Sequence, residues 1–185
     1  MRSERTHSSI GRSAWHDRFM SKWRETTAMA EDEVDDFIAQ NWSMVIGTVG
    51  RDGWPHLVTM AYGLIDGKIV FTSFSRAQKS VNLRRDPRIT CLIEDPGTRH
   101  EEIRGIQVVG TAEISEDPDR AVAVLRAVKQ QSVHGHRLPP GAEAPSDKDH
   151  ATAAKRICVT VEPQRLISWD HTRLERESRP TYDFD

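Results

Sequence analysis

The sequence predicts a single mainly β domain with helical covers, a small antiparallel β-barrel. Three observations support this fold class. Six or seven short β-rich runs lie between Ser43 and Trp169, whereas only two or three stretches have the apolar spacing of a helix. The pairs Asp52-Gly53 and Asp66-Gly67, which favour tight hairpin turns, each separate two such runs. The 185 residues are enough for one domain with a complete core.

The first 30 residues are polar and show no sustained period, so we expect a flexible N-terminal extension at 1–30. Within it, Trp15, Phe19 and Trp23 recur at every fourth position. This spacing also fits a short amphipathic helix that docks on a partner subunit. Both interpretations stay open at the level of sequence.

The folded domain is expected to span 31–174 and to begin with a helix. In "EDEVDDFIAQN", acids occupy the first turn, where the helix dipole favours them, and Val34, Phe37 and Ile38 share one face. Three β-rich runs follow and predict an antiparallel meander: Ser43–Val49, His56–Leu64 and Lys68–Phe74.

Two helices and the remaining strands complete the prediction. The run "SRAQKSVNLRRD" predicts a short helix with Ser75 as its N-cap and Pro87 beyond its end. The run "SEDPDRAVAVLRAVKQQ" predicts a longer helix with Pro118 in its first turn. The remaining strands are predicted at Arg88–Glu94, Ile103–Ile114 and, as one or two strands, Arg156–Val161 and Arg165–Trp169. The Pro-, Gly- and His-rich stretch 132–149 is expected to be a functional or disordered loop, and 175–185 a frayed C-terminal tail.

Composition excludes several classes of function. A net charge of −2 and a pI near 6.4 argue against general nucleic-acid binding, which needs a strongly basic face. No apolar run approaches the roughly 20 residues of a membrane span, and the N-terminus lacks the apolar core of a secretory signal. We therefore expect a cytoplasmic protein without membrane contacts. Cys91 and Cys158 lie in apolar strand-like runs, which is typical of buried thiols in a reducing compartment.

Five basic side chains cluster between Phe71 and Asp95, although the chain is slightly acidic overall: Arg76, Lys79, Arg84, Arg85 and Arg88. One interpretation is an anion held where a strand passes into a helix. Its contacts would be the free N–H groups of the first helical turn, the cations of Arg76 and Lys79, and the hydroxyls of Thr72, Ser73 and Ser75. The other interpretation is a solvated helix face. Spacing alone leaves both open.

The segments "IGTVGRDGWPHLVTM", "GKIVFTSFSRAQKSVNLRRDPRITCLIED" and "VVGTAEI" together resemble the pyridoxamine 5'-phosphate oxidase-like family of FMN-binding split barrels. Within them, "RAQKSVNLRRDPR" is most similar to an actinobacterial branch of deazaflavin (coenzyme F-420) dependent enzymes. The resemblance covers about Val34 to Asp170. It implies a six-stranded antiparallel split β-barrel that forms a homodimer, with a cofactor in each of two clefts lined by both subunits. The implied cofactor is coenzyme F-420 as first choice, or FMN.

The resemblance also implies a set of site residues. In relatives, the segment that matches Thr72, Ser73, Gln78 and Lys79 holds the cofactor phosphate, and the strand that matches Val58–Tyr62 lies along the ring. With Arg76 added from the basic cluster, the implied cofactor-binding residues are Val58, Thr59, Met60, Ala61, Tyr62, Thr72, Ser73, Arg76, Gln78, Lys79 and Trp169. Trp169 either reaches the cleft of the other subunit or is a core or interface aromatic.

The expected function follows from the resemblance and from the positions at which this sequence departs from the family pattern. The run "HLVTMAYG" lacks the R-x-x-L-L-K phosphate-binding pattern of pyridoxamine phosphate oxidases, so that activity itself is not expected. No nucleophile–base pair stands out, which fits an oxidoreductase whose cofactor passes a hydride to or from a small planar substrate. The alternative is a non-catalytic flavin- or haem-binding or sensor protein on the same fold. Metal binding by His134 and His136, with His150 and His171 elsewhere, is not expected, because histidines in a Gly- and Pro-rich loop are usually solvated and no second Cys/His pair has metal-ligand spacing.

Overall fold

In a computed structural model, the residues described are 23–131 and 147–174. They form one antiparallel sheet with four α-helices, a further helical segment at 23–27 and two short 3₁₀ helices, His100–Glu102 and His171–Arg173. The strands are β1 Ser43–Val49, β2 Pro55–Ala61, β3 Gly63–Ile65, β4 Lys68–Phe74, β5 Arg88–Asp95, β6 Arg104–Ser115 and β7 Arg156–Asp170. The helices are α1 Glu31–Gln40, α2 Gln78–Arg85, α3 Pro118–Gln131 and α4 Asp147–Ala153. The strand order is β2-β1-β5-β6-β7-β4-β3, and the sheet curls into the mainly β split barrel that the sequence predicts, with the short β3 as a seventh strand.

The core lies on both sides of β4 and β7. Alternate residues of the curled sheet point inward and pack with Val34 and Phe37 of α1, and this cluster includes Met44, Ile46, Phe71, Cys91, Ile93, Ile106 and Val159. A second cluster lies where α3 and α4 cover β4 and β7, and it includes Val70, Val122, Val124, Ala153 and Cys158. Helices α3 and α4 therefore cover β4 and β7 at one end of the sheet, and α1 closes the barrel interior.

The predicted meander is wrong in its middle connection. The hairpins β1–β2 and β3–β4 both form, and Asp66 and Gly67 adopt φ of 51° and 74°, as a tight hairpin turn requires. However, β2 and β3 lie at opposite ends of the strand order. The chain crosses at Tyr62, whose N–H bonds to the carbonyl of Trp42 and whose buried side chain interrupts the predicted strand.

Local hydrogen bonds shift two predicted boundaries. The basic helix begins at Gln78 with Ala77 as its N-cap rather than Ser75. Ser75 is held instead by the carbonyl of Lys155 and by Arg84, so it cannot cap the helix. The last strand is one continuous strand, β7, with a register shift opposite Val109 and Gly110. Part of the predicted loop 132–149 is helical, because α4 begins at Asp147.

The described end of the N-terminal extension packs on the C-terminal end of β7. Trp23 lies edge-on to His171 with ring centroids 5.2 Å apart, and the N–H of Met29 donates to the hydroxyl of Ser168 at 3.0 Å. Residues 23–30 therefore differ from the flexible segment predicted at 1–30. Trp15, Phe19, residues 132–146 and the tail 175–185 lie outside the described residues. None of the helices in the described ranges is long and apolar enough to cross a membrane.

Candidate functional site

The junction between β4 and α2 is the predicted anion site, and its hydroxyl groups do not converge. Strand alternation places Thr72 and Ser73 on opposite faces of β4. Thr72 accepts a hydrogen bond from Arg156 Nη1 at 3.3 Å, while the Ser73 hydroxyl is 2.8 Å from that of Ser80, inside the barrel. Ser75 accepts from Arg84 at 2.9 Å. The three hydroxyls therefore have separate partners, and their contact with one anion stays a prediction.

Three of the five clustered cations are held by acceptors of the chain itself. Arg84 forms an ion pair with Glu116 and donates to the carbonyl and the hydroxyl of Ser75. Arg85 donates to the carbonyl of Val49. Arg88 forms an ion pair with Asp86 at 2.6 Å, and its side chain and N–H lower the pKa of Asp86 to about 2. Through these contacts, Arg84, Arg85 and Arg88 hold the segments on either side of α2 in place.

The other two cations, Arg76 and Lys79, have no hydrogen-bond or ion-pair partner within 23–131 and 147–174. They flank the start of α2, where no side chain caps the helix. The N–H groups of Ala77 and Ser80 are bonded to Phe74 and Ala77, whereas those of Gln78 and Lys79 have no partner in the same described ranges. The first turn of α2 therefore presents two open N–H groups beside two uncommitted cations.

A cleft of about 650 Å³ lies beside this turn, between α2 and the loop that joins β1 to β2. Its lining residues are Gly50, Arg51, Asp52, Trp54, Pro55, His56, Gln78 and Asn82. Of the predicted site residues, only Gln78 lines it. Arg76 and Lys79 lie outside the cleft wall, so the cleft and the cationic turn adjoin through Gln78.

Hydrogen bonds fix the α2 wall of the cleft. Gln78 Nε2 donates to Asn82 Oδ1 at 2.8 Å, and Asn82 Nδ2 donates to Thr48 Oγ1 at 3.0 Å. Both Asn82 and Thr48 are buried. These two hydrogen bonds connect α2 to β1, and β1 leads into the loop that forms the opposite wall of the cleft.

The opposite wall combines an exposed aromatic ring with a partly buried imidazole. Trp54 is 74% exposed, although its backbone is held by Gly50 at 2.7 Å and by the Asp52 carboxylate at 3.2 Å. His56 Nδ1 is buried and has no hydrogen-bond partner among the described residues. Sequence reasoning missed Trp54, His56 and Asn82 as site residues. For His56 and Asn82 the available signal was a polar residue at an inward position, His56 in step with Val58 and Met60 and Asn82 next to Leu83. The sequence carried no such signal for Trp54.

The predicted ring strand is β2, the last strand of the sheet on one side. Val58 and Met60 point inward and pack against the core, while Thr59 is exposed and Ala61 is partly exposed. Tyr62 lies beyond the end of β2. It is fully buried, it donates to the carbonyl of Ile38 at 2.6 Å, and burial raises the pKa of its hydroxyl. The structure thus places the Tyr62 side chain in the core, away from any open surface.

Trp169 packs on its own subunit. It pairs with Gly105 across β6 and β7, and a Cβ on Gly105 would lie 2.3 Å from Trp169 Cζ2. The indole therefore covers the glycine, as an aromatic of the sheet surface. Contact of Trp169 with a partner's cleft stays a prediction.

Cys91 and Cys158 are free, buried thiols, as the sequence predicts, and burial raises their pKa values to about 12 and about 11. Within the described ranges, no three His, Cys, Asp or Glu side chains are grouped closely enough to hold a metal ion. His134 and His136 lie outside these ranges.

Comparison with known proteins finds solved structures of similar fold. A conserved hypothetical protein from Mycobacterium tuberculosis is 32% identical, and the match covers 86% of this chain and 94% of that one with a TM-score of 0.69. Two further solved structures share the fold: an F-420 reductase (20% identity, 71% and 94% coverage, TM-score 0.53) and HutZ, the haem storage protein from Vibrio cholerae (13% identity, 75% and 94% coverage, TM-score 0.54).

No protein among those with curated functions matches the chain. The family model described as pyridoxamine 5'-phosphate oxidase matches residues 30–170, which is most of the chain. These residues include both hairpins, the cationic turn and the cleft. The chain therefore belongs to the pyridoxamine 5'-phosphate oxidase family.

Proposed function

We propose that this protein is an oxidoreductase that binds coenzyme F-420, or FMN in its place, and passes a hydride to or from a small planar substrate. The observation that carries the proposal is the first turn of α2. There the cations of Arg76 and Lys79 and the N–H groups of Gln78 and Lys79 are uncommitted within the described chain. Both candidate cofactors carry a phosphate.

A phosphate fits the chemistry of this turn. An uncapped helix start favours an anion through its open N–H groups and its dipole, and cations add charge-assisted hydrogen bonds. Thr72 and Ser73 contribute differently from the sequence prediction. Ser73 bonds to Ser80 and so fixes α2 against β4, while Thr72 bonds to Arg156 on the other face. We therefore assign these hydroxyls to positioning the turn rather than to contacting the phosphate.

The cofactor ring would lie along β2. As the last strand of the sheet, β2 has one edge whose backbone groups pair with no strand of the described chain, and such groups can bond to ring heteroatoms. Inward packing of Val58 and Met60 holds this edge in place, and Thr59 and Ala61 lie on the outer side. A bound deazaflavin or flavin would supply the hydride chemistry, and the protein would supply position and exclusion of water.

F-420 is the first choice because of the sequence of the basic segment. The run "RAQKSVNLRRDPR" is most similar to the deazaflavin-dependent branch, and β2 lacks the basic residues of the R-x-x-L-L-K pattern of pyridoxamine phosphate oxidases. The structural similarity to an F-420 reductase, at 20% identity, concerns the shared fold alone.

We further propose a homodimer formed through the outer face of β2, β1, β5, β6 and β7. No helix of the described ranges packs on this face, because α3 and α4 cover β3, β4 and the start of β7. The face carries apolar residues among polar ones, with Val45 next to Leu92 and with Leu57 and Ile167 exposed by 65% and 39%. Large apolar side chains exposed on a face that no helix covers are typical of a subunit interface.

Titration of the purified full-length chain tests the proposal. F-420, FMN and haemin are added separately, and binding is followed by cofactor fluorescence or absorbance and by calorimetry. We expect F-420 to bind with micromolar or tighter affinity, FMN more weakly, and the bound cofactor to pass a hydride to at least one planar acceptor. Stoichiometric binding of haemin without binding of either flavin-type cofactor would instead establish the non-catalytic alternative.

A further inference from the structure

Arg156, the first residue of β7, carries a guanidinium group that forms no ion pair within 23–131 and 147–174. Its Nε–H is buried and meets no acceptor in these ranges. A buried N–H without an acceptor costs free energy, so hydrogen bonding and ion pairing do not account fully for this side chain. What Arg156 contributes follows from its two side-chain contacts, and both are with the end of β4.

These two contacts hold the last residues of β4. The guanidinium carbon of Arg156 lies 4.2 Å from the centre of the Phe74 ring, within the range of a cation–π contact, and Nη1 donates to Thr72 Oγ1 at 3.3 Å. Phe74 is also the strand partner of Arg156, and the N–H of Ser75 donates to the carbonyl of Lys155 at 3.0 Å. Lys155 and Arg156 therefore clamp the end of β4 and the residue that follows it.

Phe74 connects this clamp to the start of α2. Its carbonyl accepts hydrogen bonds from the N–H of Ala77 at 3.0 Å and from the hydroxyl of Ser80 at 2.8 Å. Ala77 is the N-cap residue of α2, and Ser80 lies in the first turn of the helix. A rotation of Phe74 would therefore move the two open N–H groups of this turn and the cations beside them.

We propose that Arg156 is a positioning residue for the cationic turn. Its contact with the Phe74 ring keeps the Phe74 carbonyl, and with it the first turn of α2, in the orientation that binds an anion. A turn that is already ordered binds more tightly, because less conformational freedom is lost on binding. The inference rests on the proposed function, since the anion is the cofactor phosphate. Arg156 acts through Phe74 and makes no contact with the phosphate itself.

Arg120 on α3 is a matched control for Arg156. It also donates through one guanidinium nitrogen to a buried threonine, Thr160 Oγ1 at 2.9 Å, and it also forms no ion pair in the part of the chain that the structure describes. Thr160 lies on the same face of β7 as Arg156, four residues further along the strand and away from the cationic turn. Loss of Arg120 therefore removes a comparable contact that has no connection to Phe74.

The first measurement is cofactor affinity of the full-length chain. Binding of F-420 and, separately, of FMN is followed by fluorescence for the native chain, Arg156→Ala, Phe74→Ala, the double variant and Arg120→Ala. We expect Arg156→Ala to weaken binding by about 3- to 10-fold and Arg120→Ala to leave it unchanged. The double variant should bind about as weakly as Phe74→Ala alone, because Arg156 acts through that ring. Arg156→Lys, which keeps the charge but loses the planar stack, should lose most of the same affinity.

The second measurement is hydrogen exchange of the backbone amides without cofactor. The N–H of Ala77 donates to the Phe74 carbonyl, so its exchange rate reports how firmly Phe74 is held. Arg156→Ala should speed exchange of the Ala77 amide by about 3- to 10-fold relative to the amides of β5 and β6, and Arg120→Ala should not. Arg156→Lys should show the same local effect, and it replaces Arg156→Ala if that variant fails to fold.

The inference is overturned if Arg156→Ala leaves affinity and Ala77 exchange unchanged, or if exchange quickens equally throughout the sheet. Additive affinity losses in the double variant, or full affinity in Arg156→Lys, would also overturn it, because Arg156 would then act by its charge. If neither F-420 nor FMN binds the native chain, the proposed function fails. Faster exchange of the Ala77 amide in Arg156→Ala alone would still support the positioning of the turn.

Discussion

The side-chain amide of Asn82 donates a hydrogen bond to the hydroxyl of Thr48 at 3.0 Å, and both groups are buried. This single contact joins the helix that carries the cationic turn to the strand that leads into the opposite wall of the cleft. Because Gln78 in turn donates to Asn82, the orientation of one cleft residue depends on a bond between two buried ones.

Asn82→Ala and Thr48→Val should therefore show coupled effects on stability. Each variant leaves a buried partner without its hydrogen bond, so each should lower the free energy of unfolding by about 1–3 kcal/mol. The double variant should lose about 1 kcal/mol less than the sum of the single losses, because the second change removes a group that has already lost its partner. Urea unfolding of the four proteins measures this coupling, and strictly additive losses would contradict it.

Lys79→Ala should weaken cofactor binding by about ten- to a hundredfold, since a charge-assisted contact to phosphate contributes about 1.5–3 kcal/mol. The melting temperature should stay nearly unchanged, because Lys79 has no partner in the described chain. Arg85→Ala is the control: it removes a cation that is already committed to the carbonyl of Val49, so binding should change little. Dissociation constants measured at low and at high salt distinguish a direct contact between Lys79 and the phosphate from the long-range attraction of the whole basic cluster. Equal losses in the two variants would show that only the diffuse charge of the cluster matters.

Local signals in the sequence predicted the hairpins and failed at the crossing between them. Asp66-Gly67 specifies a tight turn by itself, because both residues must adopt positive φ. Nothing local distinguishes one strand at 56–64 from two strands separated at Tyr62. The break depends on burial of the Tyr62 ring and on its bond to Ile38, which are contacts with a distant helix.

The candidate site was predictable to a similar extent. The two uncommitted cations, Arg76 and Lys79, were among the predicted residues. The partners of the hydroxyls beside them could not be foreseen, because Arg156, Ser80 and Arg84 lie 84, 7 and 9 residues away along the chain. The cleft walls could not be foreseen, since His56 and Asn82 acquire their roles only when β2 and α2 are brought together.

Gly105→Ala should destabilise the protein by displacing Trp169. The new Cβ would lie 2.3 Å from the indole, so the ring or the strand must move, and overpacking of this kind costs about 1–3 kcal/mol. In a Trp169→Ala background the same change should cost much less, because the clashing ring is absent. Thermal or urea unfolding of the single and double variants measures the difference. An equal cost in both backgrounds would show that the glycine is needed for its backbone rather than for the indole.

Cys91 and Cys158 should resist thiol reagents in the folded protein at about pH 8, and both should react after unfolding in urea. Burial raises their pKa values to about 12 and about 11 from an ordinary value of 9.0. A raised pKa favours folding below the ordinary value, and this contribution is lost as the pH rises from there through the folded pKa. Stability should thus fall between about pH 9 and 12, and Cys91→Val should make that fall shallower. Rapid labelling of either folded thiol would contradict the burial.

Leu57→Glu should convert the proposed dimer to monomers. Leu57 is 65% exposed on the apolar outer face of β2, so a second subunit would bury it, and a carboxylate buried there without a partner is costly. Light scattering should give twice the 21.0 kDa chain mass for the native protein and a single chain mass for the variant at the same micromolar concentration. Val81→Glu is the control, because Val81 is 47% exposed but lies on α2, away from that face. It should leave the dimer intact. If the native chain is already monomeric with cofactor bound, the outer face is not a subunit interface, and the edge of β2 must bind the cofactor ring without help from a second copy.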